Sequence, residues 1–170
     1  MVNLRGRVVR SAAPALVVST MVLLSGCAGS EANTGGAPAD TIQVKDAVVT
    51  VVDDTTAAIG GEWEVYSGPA VRACTQESGE DGAAYSYITT QAAAPGDPTA
   101  HIDAVEKLWN DQGITAERYQ SGGDDPILGI RGSGGPTTSI DFLADERGYS
   151  VDALSPCADG DPVELKEQGE

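Results

Sequence analysis

Between Asp40 and Cys157 the spacing of apolar residues changes several times, and each change predicts a new element. Val44, Val48, Val51, Thr55 and Ile59 fall three or four apart on one stripe, Asp40 stands where an N-cap is needed, and Gly60-Gly61 stops the run. That pattern predicts a helix. Its β-branched content would also suit a strand over residues 42–52, but Asp46 would then break the apolar face, so the helix is the better reading. Trp63 and Val65 lead into a turn at Ser67-Gly68-Pro69, and residues 70–75 read as a short strand ending near Cys74. Tyr85, Tyr87 and Ile88 with neighbouring Thr give a second strand. Asp97-Pro98 is an N-cap followed by Pro at the first helical position, and Ile102, Val105, Leu108 and Trp109 form a stripe that Gly113 ends. Four short segments of strand composition follow, at 114–119, 127–131, 138–143 and 149–154, separated by clusters rich in Gly, Asp, Ser and Pro.

Short connections join antiparallel neighbours, because a parallel crossover needs about a dozen residues or more. The expected fold is therefore α+β: an antiparallel sheet of about six strands with two helices packed on one face. Residues 40–157 make one domain, and residues 158–170, with five acidic side chains, read as an acidic tail. No repeat of fixed period is present.

The amino terminus follows a different pattern. Arg5, Arg7 and Arg10 are the only charged residues before Glu31, and they precede an apolar stretch over 12–24 interrupted by Pro14, Ser19 and Thr20. Thirteen helical residues cover about 20 Å against a hydrocarbon core of roughly 30 Å, so the run is a secretory signal and not a span. It ends in Leu24-Ser25-Gly26-Cys27, which resembles the bacterial lipobox, the Leu, small, small, Cys pattern of lipoprotein signal peptides. The resemblance covers the first 27 residues. It implies that residues 1–26 are removed, that Cys27 carries the lipid, and that the membrane is a partner through that covalent lipid. The protein would then sit on the outer face of the cytoplasmic membrane, since two acyl chains on one residue supply the double signal for stable anchoring. Residues 27–39 contain no large apolar side chain and act as a flexible tether of about 20 Å.

An odd number of cysteines is awkward in an exported chain. With Cys27 lipidated, Cys74 and Cys157 remain as a candidate disulfide. Neither lies in a C-x-x-C spacing, and with a single His a zinc site would need distant carboxylates. Lipobox, tether and a small two-Cys α+β body together resemble the small surface lipoproteins of actinobacteria, a resemblance that implies location and fold but no reaction.

Composition narrows the partners. Ten Lys plus Arg stand against 26 Asp plus Glu, a formal net charge of -16, and the mean hydropathy is -0.15. A chain this acidic repels phosphate backbones, so no nucleic-acid partner is expected. Loss of the signal removes Arg5, Arg7 and Arg10 and no acid, leaving 7 basic and 26 acidic residues, which is 7 − 26 or −19.

Catalytic chemistry is hard to find. His101 opens the second helix with no second His to complete a ligand set, Ser67 and Ser133 sit in Gly-rich turns without a nucleophile elbow, and the run 129–135 has Arg131 as its one cation and lacks the Gly-Lys-Ser/Thr of a phosphate loop. Glu77, Glu80 and Asp81, Asp124 and Asp125, and Asp159, Asp161 and Glu164 cluster in loops without the spacing of a calcium loop. No catalytic residue, metal or cofactor is therefore assigned. Trp63, Tyr85, Tyr87, Trp109 and Tyr119 are the candidate lining of a ligand groove between helices and sheet, although the same rings can serve as core. The expectation is a non-enzymatic, lipid-anchored binding or accessory protein of the envelope, acting on a small ligand or an envelope protein. The alternatives are an extracytoplasmic hydrolase using loop carboxylates and a structural or inhibitory surface protein.

Overall fold

Asp40 caps the first helix as its sequence predicts, accepting a hydrogen bond at 2.9 Å from the Ile42 amide in a computed structural model that describes residues 40–92 and 96–169. The expected signal peptide, lipobox and tether fall on residues 1–39, outside the described residues. The elements are α1 (Thr41–Ile59), β1 (Glu64–Thr75), β2 (Asp81–Gln91), α2 (Pro98–Asp111), β3 (Thr115–Ser121), β4 (Ile127–Gly134), β5 (Thr137–Asp145), β6 (Gly148–Leu154) and α3 (Pro162–Glu167). They form an α+β fold around one six-stranded antiparallel sheet of order β1-β2-β6-β5-β4-β3.

Burial holds α1 together against its poor intrinsic propensity. Val44, Val48, Val51, Val52, Thr55 and Ile59 all face the core, so the β-branched side chains that weaken an isolated helix become its packing surface. α1 lies over β2 and β6, whereas α2 lies over β3, β4 and β5. Between them and the sheet sit Tyr85, Trp109, Ile130, Ile140, Phe142 and Val151, none more than 1% exposed. Both long helices cover the same face, as the sequence predicts.

Two expectations are corrected. Ser67-Gly68-Pro69 is not a turn before a short strand: β1 runs through it from Glu64, with register shifts between Val65 and Ser67 and between Ser67 and Ala70, and a cis Gly68–Pro69 bond. An edge strand tolerates this, because a proline there lacks only a donor that has no sheet partner. Residues 158–169 are not a tail. Ala158 is buried and exchanges two backbone hydrogen bonds with Ala83, each 2.9 Å, so the chain continues along β2 past the end of β6. Asp161 then caps α3 by accepting from the Val163 amide at 2.7 Å, and Leu165 packs against the core. Those acids cap and hydrogen-bond, a use that composition does not reveal.

Cys74 and Cys157 form a disulfide with Cα atoms 5.9 Å apart across a sequence separation of 83. It joins edge strand β1 to the segment that follows β6.

Candidate functional site

Alternation along the strands sends one set of side chains to the helices and leaves the other on the open face of the sheet. Ile130, Phe142 and Val151 belong to the first set, and their neighbours Arg131, Asp141 and Asp152 belong to the second. Register puts the second set in line. Glu117 on β3 stands opposite Arg131 on β4, Arg131 opposite Asp141 on β5, Asp141 opposite Asp152 on β6, and Asp152 opposite Ile88 on β2. A charged row thus crosses four adjacent strands.

Tyr119 organises the row. Its hydroxyl donates to Asp141 Oδ1 at 2.6 Å, and its ring lies across Gly129, where a Cβ would stand 2.5 Å from the ring carbon Cζ. Only glycine at 129 allows that approach. The Arg131 guanidinium sits over the same ring, 4.1 Å from its centroid, in a cation–π contact. Burial and the Asp141 carboxylate push the Tyr119 hydroxyl far above its ordinary value, so it stays a donor, with Arg131 opposing them.

Beside this group lies a shallow cavity of about 530 Å³, lined among others by Thr115, Glu117, Arg131, Ser133, Asp141 and Asp152. That volume lies within the usual range for small-molecule sites, about 300–1,000 Å³. Among the described residues the Asp152 side chain makes no hydrogen bond. Its carboxyl is raised above the usual range by burial first and by Asp141 second, while Arg72 works in the opposite direction. Arg72 on β1 is held by donating from Nε to Ser86 Oγ at 2.9 Å. Like charges directly opposite on neighbouring strands destabilise a sheet, and Asp141 and Asp152 form such a pair.

The five aromatic residues expected to line a groove are not brought together. Trp109 is fully buried and donates from Nε1 to Thr55 Oγ1 at 2.9 Å, and Tyr85 and Tyr87 are buried in the same core. Trp63 packs at the rim of that core and donates to the Gly60 carbonyl at 3.0 Å. Tyr119 alone reaches the open face, on the opposite side of the sheet from the helices. Tyr85, Tyr87, Trp109 and the rim residue Trp63 fill the space between helices and sheet.

His101 lies beside Tyr149, with Nδ1 at 2.9 Å from the hydroxyl and the rings edge to face. Of the loop acids, Asp125 pairs with Arg147 at 3.2 Å, Arg147 also grips Asp145, and Asp159 accepts from Gln76 Nε2 at 2.6 Å. Among the described residues no three His, Cys, Asp or Glu side chains are grouped to hold a metal ion. Asp141 and Asp152 carry no motif that marks them in the sequence. Their one signal is that each interrupts an apolar strand with a residue type strands disfavour.

No family model matches the chain, and no curated protein does. Among solved structures, the crystal structure of a DUF4853 family protein from Actinomyces odontolyticus is similar with a TM-score of 0.54 and 19% sequence identity, over 71% of this chain and 67% of that one. At that identity the likeness is one of fold, and its actinobacterial source is consistent with the resemblance read from the sequence.

Proposed function

We propose that the protein is an extracytoplasmic binding or accessory module, held to the outer face of the cytoplasmic membrane by lipid on Cys27, with the open sheet face as its binding surface. One observation carries the second half of that reading. A sheet covered by helices on one side presents, on the other, a row of charges around a cavity, with Arg131 and Tyr119 fixed against each other. Charges packed this closely cost stability unless a ligand uses them. The lipobox supports the first half, and the tether places the body within reach of other envelope components.

Binding is favoured over hydrolysis by loop carboxylates, because Glu77, Glu80, Asp124 and Asp125 lie on exposed turns outside this cavity. Two measurements test the proposal. Cys27→Ala should move the protein from the membrane to the soluble fraction and abolish the lipid mass; a variant that stays membrane-bound refutes the anchor. Small molecules extracted from bacterial envelopes should shift backbone amide resonances of β4, β5 and β6 in the isotope-labelled full chain, and shifts confined elsewhere would refute the surface.

A further inference from the structure

Arg131 is the least expected member of the open-face row. It stands between two carboxylate-bearing neighbours in register, Glu117 and Asp141, yet among the described residues it forms no ion pair with either. Its guanidinium instead lies over the Tyr119 ring. Stacking fixes the plane of a guanidinium and leaves its N–H edges free to donate, the arrangement that receives a planar oxyanion through two parallel hydrogen bonds. Tyr119 cannot swing away while its hydroxyl is engaged by Asp141, and Gly129 gives it the flat surface on which it rests.

The surroundings restrict which oxyanion can arrive. The chain carries a net charge of -16, and the cavity beside Arg131 holds Glu117, Asp141 and Asp152. A purely anionic ligand would be repelled by the whole molecule and by three nearby carboxylates. A purely cationic one would meet the guanidinium. Both signs are satisfied when one small molecule brings both charges.

We propose, building on the open face as the binding surface, that this cavity takes a small zwitterion. Its carboxylate lies on the Arg131 guanidinium and its ammonium between Asp141 and Asp152, as in an amino acid or a short peptide with free ends. Adjacent strands are about 4.8 Å apart, so the positive and negative subsites lie one to two strand spacings from each other. An ammonium there also relieves the Asp141 and Asp152 repulsion, and of those two it is Asp141 that already accepts a side-chain hydrogen bond, from Tyr119, while the Asp152 side chain accepts none among the described residues.

Calorimetric and amide-shift titrations of the full chain in detergent micelles test this with glycine, β-alanine, γ-aminobutyrate and glycylglycine, against acetate and methylamine. At least one zwitterion should saturate and shift amides of β4, β5 and β6. It should bind about tenfold or more tightly than either single-charge control, the scale of one lost charged hydrogen-bond set. Arg131→Gln and Asp152→Asn should each weaken it about tenfold or more, with core amide positions unchanged to show that the fold is intact. The proposal is overturned if acetate or methylamine matches the zwitterions, if none of them saturates, or if both variants bind like the parent. If the zwitterions fail while envelope extract still shifts open-face amides, the surface stands and only the ligand class falls. If neither shifts them, the surface reading falls as well.

Discussion

Asp152 shows how much of a site can hide in one residue. In the sequence it is a single acid in a short apolar strand, and nothing local says that it faces Asp141 across the ladder. Burial and that neighbour hold its carboxyl above the usual range, so the folded chain binds this proton more tightly than the unfolded chain does. The stability linked to it is present below the unfolded value and is lost as pH rises through the folded one. Asp152→Asn should therefore stabilise the protein at neutral pH, by up to about 0.5 kcal/mol given its solvent exposure. The gain should vanish below the ordinary Asp value of 3.8. Urea unfolding at pH 7 and pH 3 checks this, and an equal effect at both would break the link to Asp141. Trp109 and Thr55 make the complementary point. Spacing alone puts each on an apolar stripe, but the hydrogen bond between them, 54 residues apart in sequence, requires the two helices to be packed side by side. Tyr119 could be suspected from its chemistry, whereas its partners Gly129, Arg131 and Asp141 could not.

Among the elements, those with a strong period and a cap were legible to within a residue or two. α1 begins after Asp40 and ends before Gly60, and α2 begins at Pro98 after Asp97, because capping and helix termination are local events read from a few side chains. The last four strands were nearly as clear, since turn residues punctuate them, although β4 runs three residues past its expected end, to Gly134. The failures came where a non-local partner decided. β1 passes through Gly68-Pro69 because it occupies a sheet edge, a position that its own residues do not declare. The segment after Cys157 folds because Ala83 offers it a backbone ladder and the core offers Leu165 a seat, while its acidic composition argues for solvent. Leu165→Ala should accordingly cost about 1–2 kcal/mol in urea unfolding of the full chain, less than a fully buried Leu because it is half-buried. A change within about 0.3 kcal/mol, typical of a surface position, would mean that α3 does not contribute to the fold.

At the scale of the molecule, the disulfide ties edge strand β1 to the chain beyond β6, so it restrains two distant parts of the same domain. The sequence separation of 83 gives a chain-entropy stabilisation of roughly 4–5 kcal/mol as an upper figure. The double variant Cys74→Ser and Cys157→Ser should lose about 2–4 kcal/mol in urea unfolding under non-reducing conditions. Free thiols on both residues in the folded parent, detected by alkylation and mass, would contradict the bridge. The stripes and caps of the two long helices, the turn clusters after Gly113, the pairing of the two body cysteines and the α+β class were legible in the sequence. The stripes, caps and turns depend on residues close together in the chain, and the cysteine pairing follows from the sequence once the lipobox resemblance sets Cys27 aside. Tertiary structure alone decided that β2 docks against β6 and the register of each ladder, and with it which alternate positions stand opposite one another on the open face. The register of the β5–β6 hairpin sets Asp152 opposite Asp141, that of β4–β5 adds Arg131 to the same row, and β2 closes the other side of β6. A strand's period of two assigns every residue to a face but names no neighbour, so the candidate site exists only once the sheet order is fixed.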